Sequence, residues 1–300
     1  MRTLILSLII LFLGNFYCAS ETLPADKGDG SEKVQTGWTN LLDESLSQWR
    51  IYQSYENMGA NGKPVPYVDG TVPEPIGFDT NLRNLYSVIK ENGELVLHVN
   101  GKVYGCAISK QVYRNYHLKL QYKFGTHKYL PRLDKALDSG VLYHSQGDPG
   151  VDHWHSWMQG QEFQVMEAGT DEGVTGDYWP IAGSRVSIHA TLTGERKYIY
   201  DPKGELLNFG GGNPRGFCAA ATDNTSPKSE WTILELYCYE GTSFHVVNGK
   251  VVMILENSSY WNGSESLPLL EGKIQLQCEA GEVYFKNIQI QEITELPILP

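Results

Sequence analysis

From Gly37 onward, apolar and polar residues alternate with a period of two along most of the chain. Between His117 and Phe124, Leu118, Leu120, Tyr122 and Phe124 fall on one side, and His117, Lys119, Gln121 and Lys123 on the other. That period predicts a half-buried β-strand. Residues 87–91 and 94–99 flank Asn92-Gly93, a dipeptide that closes two-residue hairpins. Further strands are expected at residues 140–144, 161–167, 185–191, 231–239, 243–247 and 251–256. Residues 273–279 and 282–291 read as a closing hairpin about Ala280-Gly281. The second of these breaks its alternation between Phe285 and Ile288, which predicts a bulge near Asn287. No stretch carries the capped 3.6-residue period of a helix. Short strands punctuated by turn residues imply an all-β sandwich or barrel. Gly- and Pro-rich segments at 52–84, 125–138 and 201–230 predict long loops, which in a compact domain are usually functional or floppy. Nothing in composition divides residues 37–300, so a single domain is expected there.

The first twenty residues stand apart. Met1-Arg2 is followed by an almost unbroken apolar run over residues 3–13, and Cys18-Ala19-Ser20 places small residues before a cut at Glu21. This pattern reads as a secretory signal peptide. The run is shorter than the roughly 20 apolar residues of a membrane span. Residues 21–36 are polar and read as a flexible leader. An exported protein is therefore expected. Cys18 also admits a lipid anchor on the outer membrane, although Tyr17 stands where such signals carry a small residue. The 300 residues are 41% hydrophobic and 20% charged, which excludes wholesale disorder. A net charge of −11 with no basic run excludes the electrostatic footprint of a nucleic-acid binder. Cys106, Cys218, Cys238 and Cys278 admit two disulfides in any of three pairings, but fit small core residues better. No cysteine or histidine spacing suggests zinc.

The chemistry concentrates in Glu162-Phe163-Gln164-Val165-Met166-Glu167. On a strand, Phe163 and Val165 turn one way and Glu162 and Gln164 the other. Plain alternation sends Glu167 inward with Phe163; a one-residue bulge at Met166 would return it beside Glu162. Two close carboxyls are the equipment of glycosidic chemistry. Trp157, with His153, Trp154 and His155, precedes this strand, and Asp177, Tyr178 and Trp179 follow it. Aromatic faces beside polar groups suit a sugar platform, although core packing is the plainer reading of any one tryptophan. Arg185 and His189 share the polar side of their strand and read equally as cleft or solvated face.

These residues also carry a family resemblance. Residues 37–49, with Gly37-Trp38-Thr39-Asn40-Leu41-Leu42-Asp43 and then Leu46 to Trp49, resemble the opening "GF-x-x-LFDG-x-x-L-x-x-W" of the 3-keto-disaccharide hydrolase family. Asp138-Ser139-Gly140-Val141-Leu142-Tyr143-His144 resembles its "NSGIFFR" strand, and residues 162–167 its "EYQILD" strand. Segments at 229–232, 247–250, 272–277 and 283–288 follow the family's later motifs in order, so the resemblance covers about residues 37–292. It implies a concanavalin-A-like β-sandwich jelly roll with long loops over a concave sugar-binding face. It further implies action on sugars oxidised at C3, or carbohydrate binding without turnover. With the export signal, it also implies a bacterial protein, periplasmic or extracellular. Residues 162–167 also resemble the "E-x-D-x-x-E" strand of laminarinase-type hydrolases, where the first Glu is nucleophile and the last acid/base. Gln164 replaces the middle Asp, which tells against ordinary retaining hydrolysis. His144 stands where the keto-sugar family carries Arg.

A C3 ketone acidifies the C2 hydrogen, so a base at C2, an acid at the glycosidic oxygen and a group holding the enolate oxygen suffice for cleavage. The residues expected in these roles are Glu162 as base and Glu167 as acid, with Gln164 donating to a hydroxyl or the enolate. His144, Asp177 and Tyr178 follow as candidates, with Trp157, Trp179, Arg185 and His189 as binding residues. A divalent cation would serve as an alternative enolate clamp, but no spacing singles out its ligands. The rival expectations are a carbohydrate-binding module and a retaining glucanase using Glu162 and Glu167.

Overall fold

The computed structural model describes residues 37–56, 59, 73–152, 156–194 and 197–298. The expected signal peptide and leader, Cys18, His153, Trp154 and His155 lie outside the described residues. In chain order the strands are β1 (Thr39–Asn40), β2 (Trp49–Gln53), β3 (Gly77–Phe78), β4 (Tyr86–Glu91), β5 (Glu94–Val99), β6 (Gly105–Ser109) and β7 (Tyr116–Lys128). Then come β8 (Asp138–Gln146), β9 (Gln159–Met166), β10 (Tyr178–Ile181), β11 (Ser184–Thr193), β12 (Lys197–Tyr200) and β13 (Glu205–Gly210). The last are β14 (Thr232–Tyr239), β15 (Thr242–Val247), β16 (Lys250–Trp261), β17 (Ser266–Pro268), β18 (Lys273–Cys278) and β19 (Gly281–Glu292). A short 3₁₀ turn at Leu82–Asn84 is the one helical element among the described residues.

The strands form two antiparallel sheets. The larger runs β12-β11-β16-β15-β14-β7-β19-β5-β4, with β1, β13 and β17 on its margins. The smaller runs β10-β9-β8-β18-β6-β2-β3. The predicted alternation closes the space between them. Leu118, Leu120 and Tyr122 of β7 and Leu234 and Leu236 of β14 pack with Val141 of β8, Phe163 and Val165 of β9 and Leu276 of β18. Burying each such side chain is worth about 1.5–3 kcal/mol, so the period-two pattern alone selects the faces that meet. The result is an all-β sandwich, the jelly roll of concanavalin-A-like domains.

The Asn92-Gly93 hairpin forms between β4 and β5, with positive φ at both turn residues (51° and 86°), as a tight mirror-image turn requires. The bulge at Asn287 is also present: φ is 51° there and the β19–β7 register slips between Lys286 and Gln289. The closing hairpin is not. β18 belongs to the smaller sheet and β19 to the larger, so Glu279 to Gly281 carry the chain across the sandwich. Both segments have one apolar face, and two facing sheets bury those faces as readily as one paired ribbon would. All four described cysteines are buried free thiols, in keeping with the core reading. No helix among the described residues is long and apolar enough to cross a membrane.

Candidate functional site

The site lies on the outer face of the smaller sheet, the face turned away from the larger sheet. Because Phe163 and Val165 of β9 are drawn into the core, Glu162 and Gln164 stand outside. β8 lies alongside, with Gly140 opposite Gln164 and Leu142 opposite Glu162. On the far side of β8, Ile274 and Leu276 of β18 turn inward, which leaves Gln277 outward. Asp138 opens β8 and Glu279 follows β18. These groups line a cavity of about 320 Å³, closed by Arg132 from the 129–137 loop, by Asp152 and Trp157, and by Trp179, Pro180 and Ile181 of β10.

Gly140 is the floor. A Cβ there would stand 2.4 Å from Glu162 Oε1 and 2.7 Å from Gln277 Oε1. No side chain fits between the two polar groups and the sheet. Gln164 donates to Asp138 Oδ1 at 2.9 Å, and the Arg132 guanidinium meets Asp138 Oδ2 at 2.7 Å. Arg132 also donates to Glu279 Oε1 at 3.1 Å and to the Ala136 carbonyl at 3.3 Å. Among the described residues, Arg132 is the one basic residue of the lining, against the carboxyls of Asp138, Asp152, Glu162 and Glu279.

That imbalance sets the protonation of Glu162. Burial, reinforced by the charges of Glu279 and Asp138, holds its pKa well above the ordinary carboxyl value, and a hydrogen bond from Gln277 tempers the rise. Burial raises Glu279 as well, with Arg132 drawing it back down. The cavity thus places a carboxyl whose ionisation is disfavoured beside Asp138, which is bound to a guanidinium. At the mouth, Trp179 is 41% exposed and stacks on Phe217, with centroids 4.7 Å apart and planes 17° apart. Trp157 forms a buried wall.

Of the residues singled out in the sequence, Glu162, Gln164, Trp157 and Trp179 meet in this cavity. Glu167 does not. The β8–β9 register runs without a break from Leu142↔Glu162 to Asp138↔Met166, so there is no bulge at Met166 and Glu167 turns away. Its carboxylate accepts from the Leu137 amide at 2.9 Å and meets Lys228 at 2.8 Å and Lys128 at 3.6 Å. Burial pushes its pKa up, but Lys228, the Leu137 amide and Lys128 together hold it below the usual value. His144 is also elsewhere. A bulge in β8 after Tyr143 gives it a φ of 50° and turns its ring against Tyr116 and Tyr143 in the core. Burial pushes its pKa down to about 4, so the ring is neutral.

Asp177 braces loops rather than lining the cavity. Its oxygens accept from the amides of Ala220 (2.7 Å) and Val174 (3.1 Å), and burial lifts its pKa to about 6. Tyr178 is buried and donates to Gln161 Oε1 at 2.7 Å. Arg185 lies over the Trp261 ring at 4.4 Å, and His189 contacts the Gly204 carbonyl at 2.9 Å. Both lie on β11 in the other sheet.

Arg132, Asp138, Asp152, Gln277 and Glu279 were missed by the reading of residues 162–167. The inward alternation of Ile274, Leu276 and Cys278 marks Gln277 as outward, but only the sheet order brings β18 to β8 and β9. Among the described residues, no group of three or more His, Cys, Asp or Glu side chains is arranged to hold a metal ion.

The family signature of the 3-keto-alpha-glucoside-1,2-lyase-like domain matches residues 37–291. No curated protein matches the chain. Among solved structures, a proposed glycosyl hydrolase from Parabacteroides distasonis shares 16% identity, over 86% of this chain and 100% of that one, with a TM-score of 0.46. A protein of unknown function with a galectin-like fold from Bacillus subtilis shares 10% identity over 85% and 94%, with a TM-score of 0.42. A carbohydrate-binding module from Bacillus subtilis shares 7% over 69% and 92%, with a TM-score of 0.37.

Proposed function

We infer the function of this chain from its family: it belongs to the 3-keto-alpha-glucoside-1,2-lyase-like domain family, which makes it carbohydrate-active. The finer reading proposed is cleavage of the glycosidic bond of 3-keto-glycosides by elimination and hydration. The observation that carries it is Glu162: a buried carboxyl, its pKa raised by burial, inside a cavity bordered by Trp157 and the Trp179–Phe217 stack. A protonated carboxyl beside a sugar platform is a general acid.

The roles expected from the sequence change accordingly. Glu162 acts as acid toward the leaving oxygen, not as base. Glu167 has no part in the chemistry, because it faces Lys128 and Lys228. The base is an ionised carboxylate of the same cavity. Asp152, which lines the same cavity as Glu162, is the candidate. Asp152 is held in place by the Ala182 amide, which donates to its Oδ2 at 2.6 Å.

In this scheme Asp152 takes the C2 proton, and the C2–H electron pair moves onto the C3 oxygen. The enolate then returns that pair to form the C1–C2 double bond as the C1–O bond breaks. Glu162 gives its proton to the departing oxygen. Water adds across the double bond, hydroxyl to C1 and hydrogen to C2, so no oxidant or reductant is consumed. A retaining glucanase mechanism would need Glu162 and Glu167 side by side, and the β8–β9 register separates them.

The test pairs a native glycoside with the same glycoside oxidised at C3, for wild type and Glu162→Gln. Cleavage of the 3-keto compound alone, falling by about 10²–10⁴-fold in the variant, is the expected result. Cleavage of the native glycoside would replace this reading with conventional hydrolysis. Tight glycan binding without turnover of either would make the protein a binding module, for which the Trp179 platform suffices.

A further inference from the structure

We propose that Arg132 is a catalytic residue: its guanidinium binds the C3 oxygen of the substrate and stabilises the enolate, in the place a divalent cation would otherwise take. The proposal rests on the elimination reading above and deepens it.

An enolate is an anion, and the cavity that would hold it is lined by the carboxyls of Asp138, Asp152, Glu162 and Glu279. Such surroundings oppose a new negative charge unless a cation touches it. Arg132 is the basic residue of that lining. Its Nη2 lies 2.7 Å from Asp138 Oδ2 and its Nη1 3.1 Å from Glu279 Oε1, so the guanidinium already bridges two carboxyls from neighbouring strands.

The guanidinium is preorganised rather than mobile on a free loop. The loop that bears it is tied at both ends: the Tyr129 amide donates to the Ala280 carbonyl at 2.8 Å, and the Leu137 amide to Glu167 at 2.9 Å. Nη2 serves Asp138 and the Ala136 carbonyl, and Nη1 donates to Glu279. Each terminal guanidinium nitrogen carries two N–H groups, so the fork can keep its carboxylates and still serve a carbonyl oxygen, which gains basicity as the enolate forms.

Exchange of the C2 hydrogen separates this step from cleavage. In D₂O, wild type should replace the C2 hydrogen of a 3-keto-glycoside with deuterium and also release the aglycone, both followed by proton NMR. Arg132→Ala should lose both, by about 10²–10³-fold. Glu162→Gln should lose release but keep exchange. Free guanidinium at a sub-denaturing concentration should restore part of the exchange to Arg132→Ala, which a purely structural role does not allow. A chelator should leave wild type unchanged. The circular dichroism spectrum and thermal melt of Arg132→Ala report whether the variant is folded. If it does not fold, Arg132→Lys takes its place and should show a smaller loss of the same sign.

Two results overturn the clamp while leaving the elimination reading intact. One is exchange at the wild-type rate in folded Arg132→Ala or Arg132→Lys. The other is loss of wild-type exchange on chelation, restored by a divalent cation. A wild type that neither exchanges nor cleaves overturns the elimination reading and the clamp together.

Discussion

Glu162 is a carboxyl buried on a sheet face crowded with other carboxyls, and that placement has a thermodynamic consequence as well as a chemical one. Its folded-state pKa lies well above the unfolded value, because burial and the charges of Glu279 and Asp138 disfavour ionisation. The folded state therefore holds the proton more tightly, and stability falls as pH rises through the raised value. Glu162→Gln removes that titration. We expect the variant to gain thermal stability over wild type as pH increases, with each 1 kcal/mol raising Tm by about 2–4 °C, while activity is lost. Thermal melts from acid to alkaline pH check this; a difference that does not grow with pH would show that Glu162 is ordinary. The residue scale is also where reading the sequence alone was weakest. His144 lies on a strand whose motif suggests a site, yet a single bulge after Tyr143 sends it into the core. Nothing in the residues around it announces that bulge.

At the scale of elements, the 129–137 loop decides whether the site is assembled, and Glu167 is its anchor. The carboxylate accepts from the Leu137 amide and sits between Lys128 of β7 and Lys228. Arg132 rides on that loop, so Glu167 is a positioning residue that acts through the guanidinium. Glu167→Gln should keep the fold and the affinity for a native glycoside, but lower kcat on the 3-keto compound by roughly tenfold, since small misplacements of a catalytic group cost about this much or more. A steady-state comparison of kcat and KM tests it; a change confined to KM would place Glu167 in binding instead. The alternation of β9 made Glu162 and Gln164 legible as outward residues. The direction of Glu167 hung on whether one residue was inserted at Met166, and the partner strand β8 runs in register to that point.

Across the whole molecule, the two faces of the smaller sheet divide the work. Phe163 lies in the core between the sheets, stacked on His245 at 4.1 Å, whereas Trp179 on the adjoining strand is partly exposed. Phe163→Ala should cost about 3–5 kcal/mol of stability in denaturant titrations. Trp179→Ala should stay within about 1 kcal/mol of wild type and weaken glycan affinity. Equal stability losses in the two would contradict this division. The sequence by itself determined the all-β class, because a period-two pattern specifies which face of each strand leaves water without reference to any other strand; that pattern left sandwich and barrel both open. It determined the Asn92-Gly93 turn and the Asn287 bulge for the same reason, since both are local backbone events. It also contained the order of motifs that marks the family. Only the tertiary structure decided which strands are neighbours. Residues 273–291 read as one hairpin, yet β18 and β19 belong to opposite sheets, and it is β18 beside β8 that brings Gln277 and Glu279 to Asp138 and Glu162. Pairing across more than a hundred residues depends on how every apolar face is buried at once, and no short window of sequence carries that information.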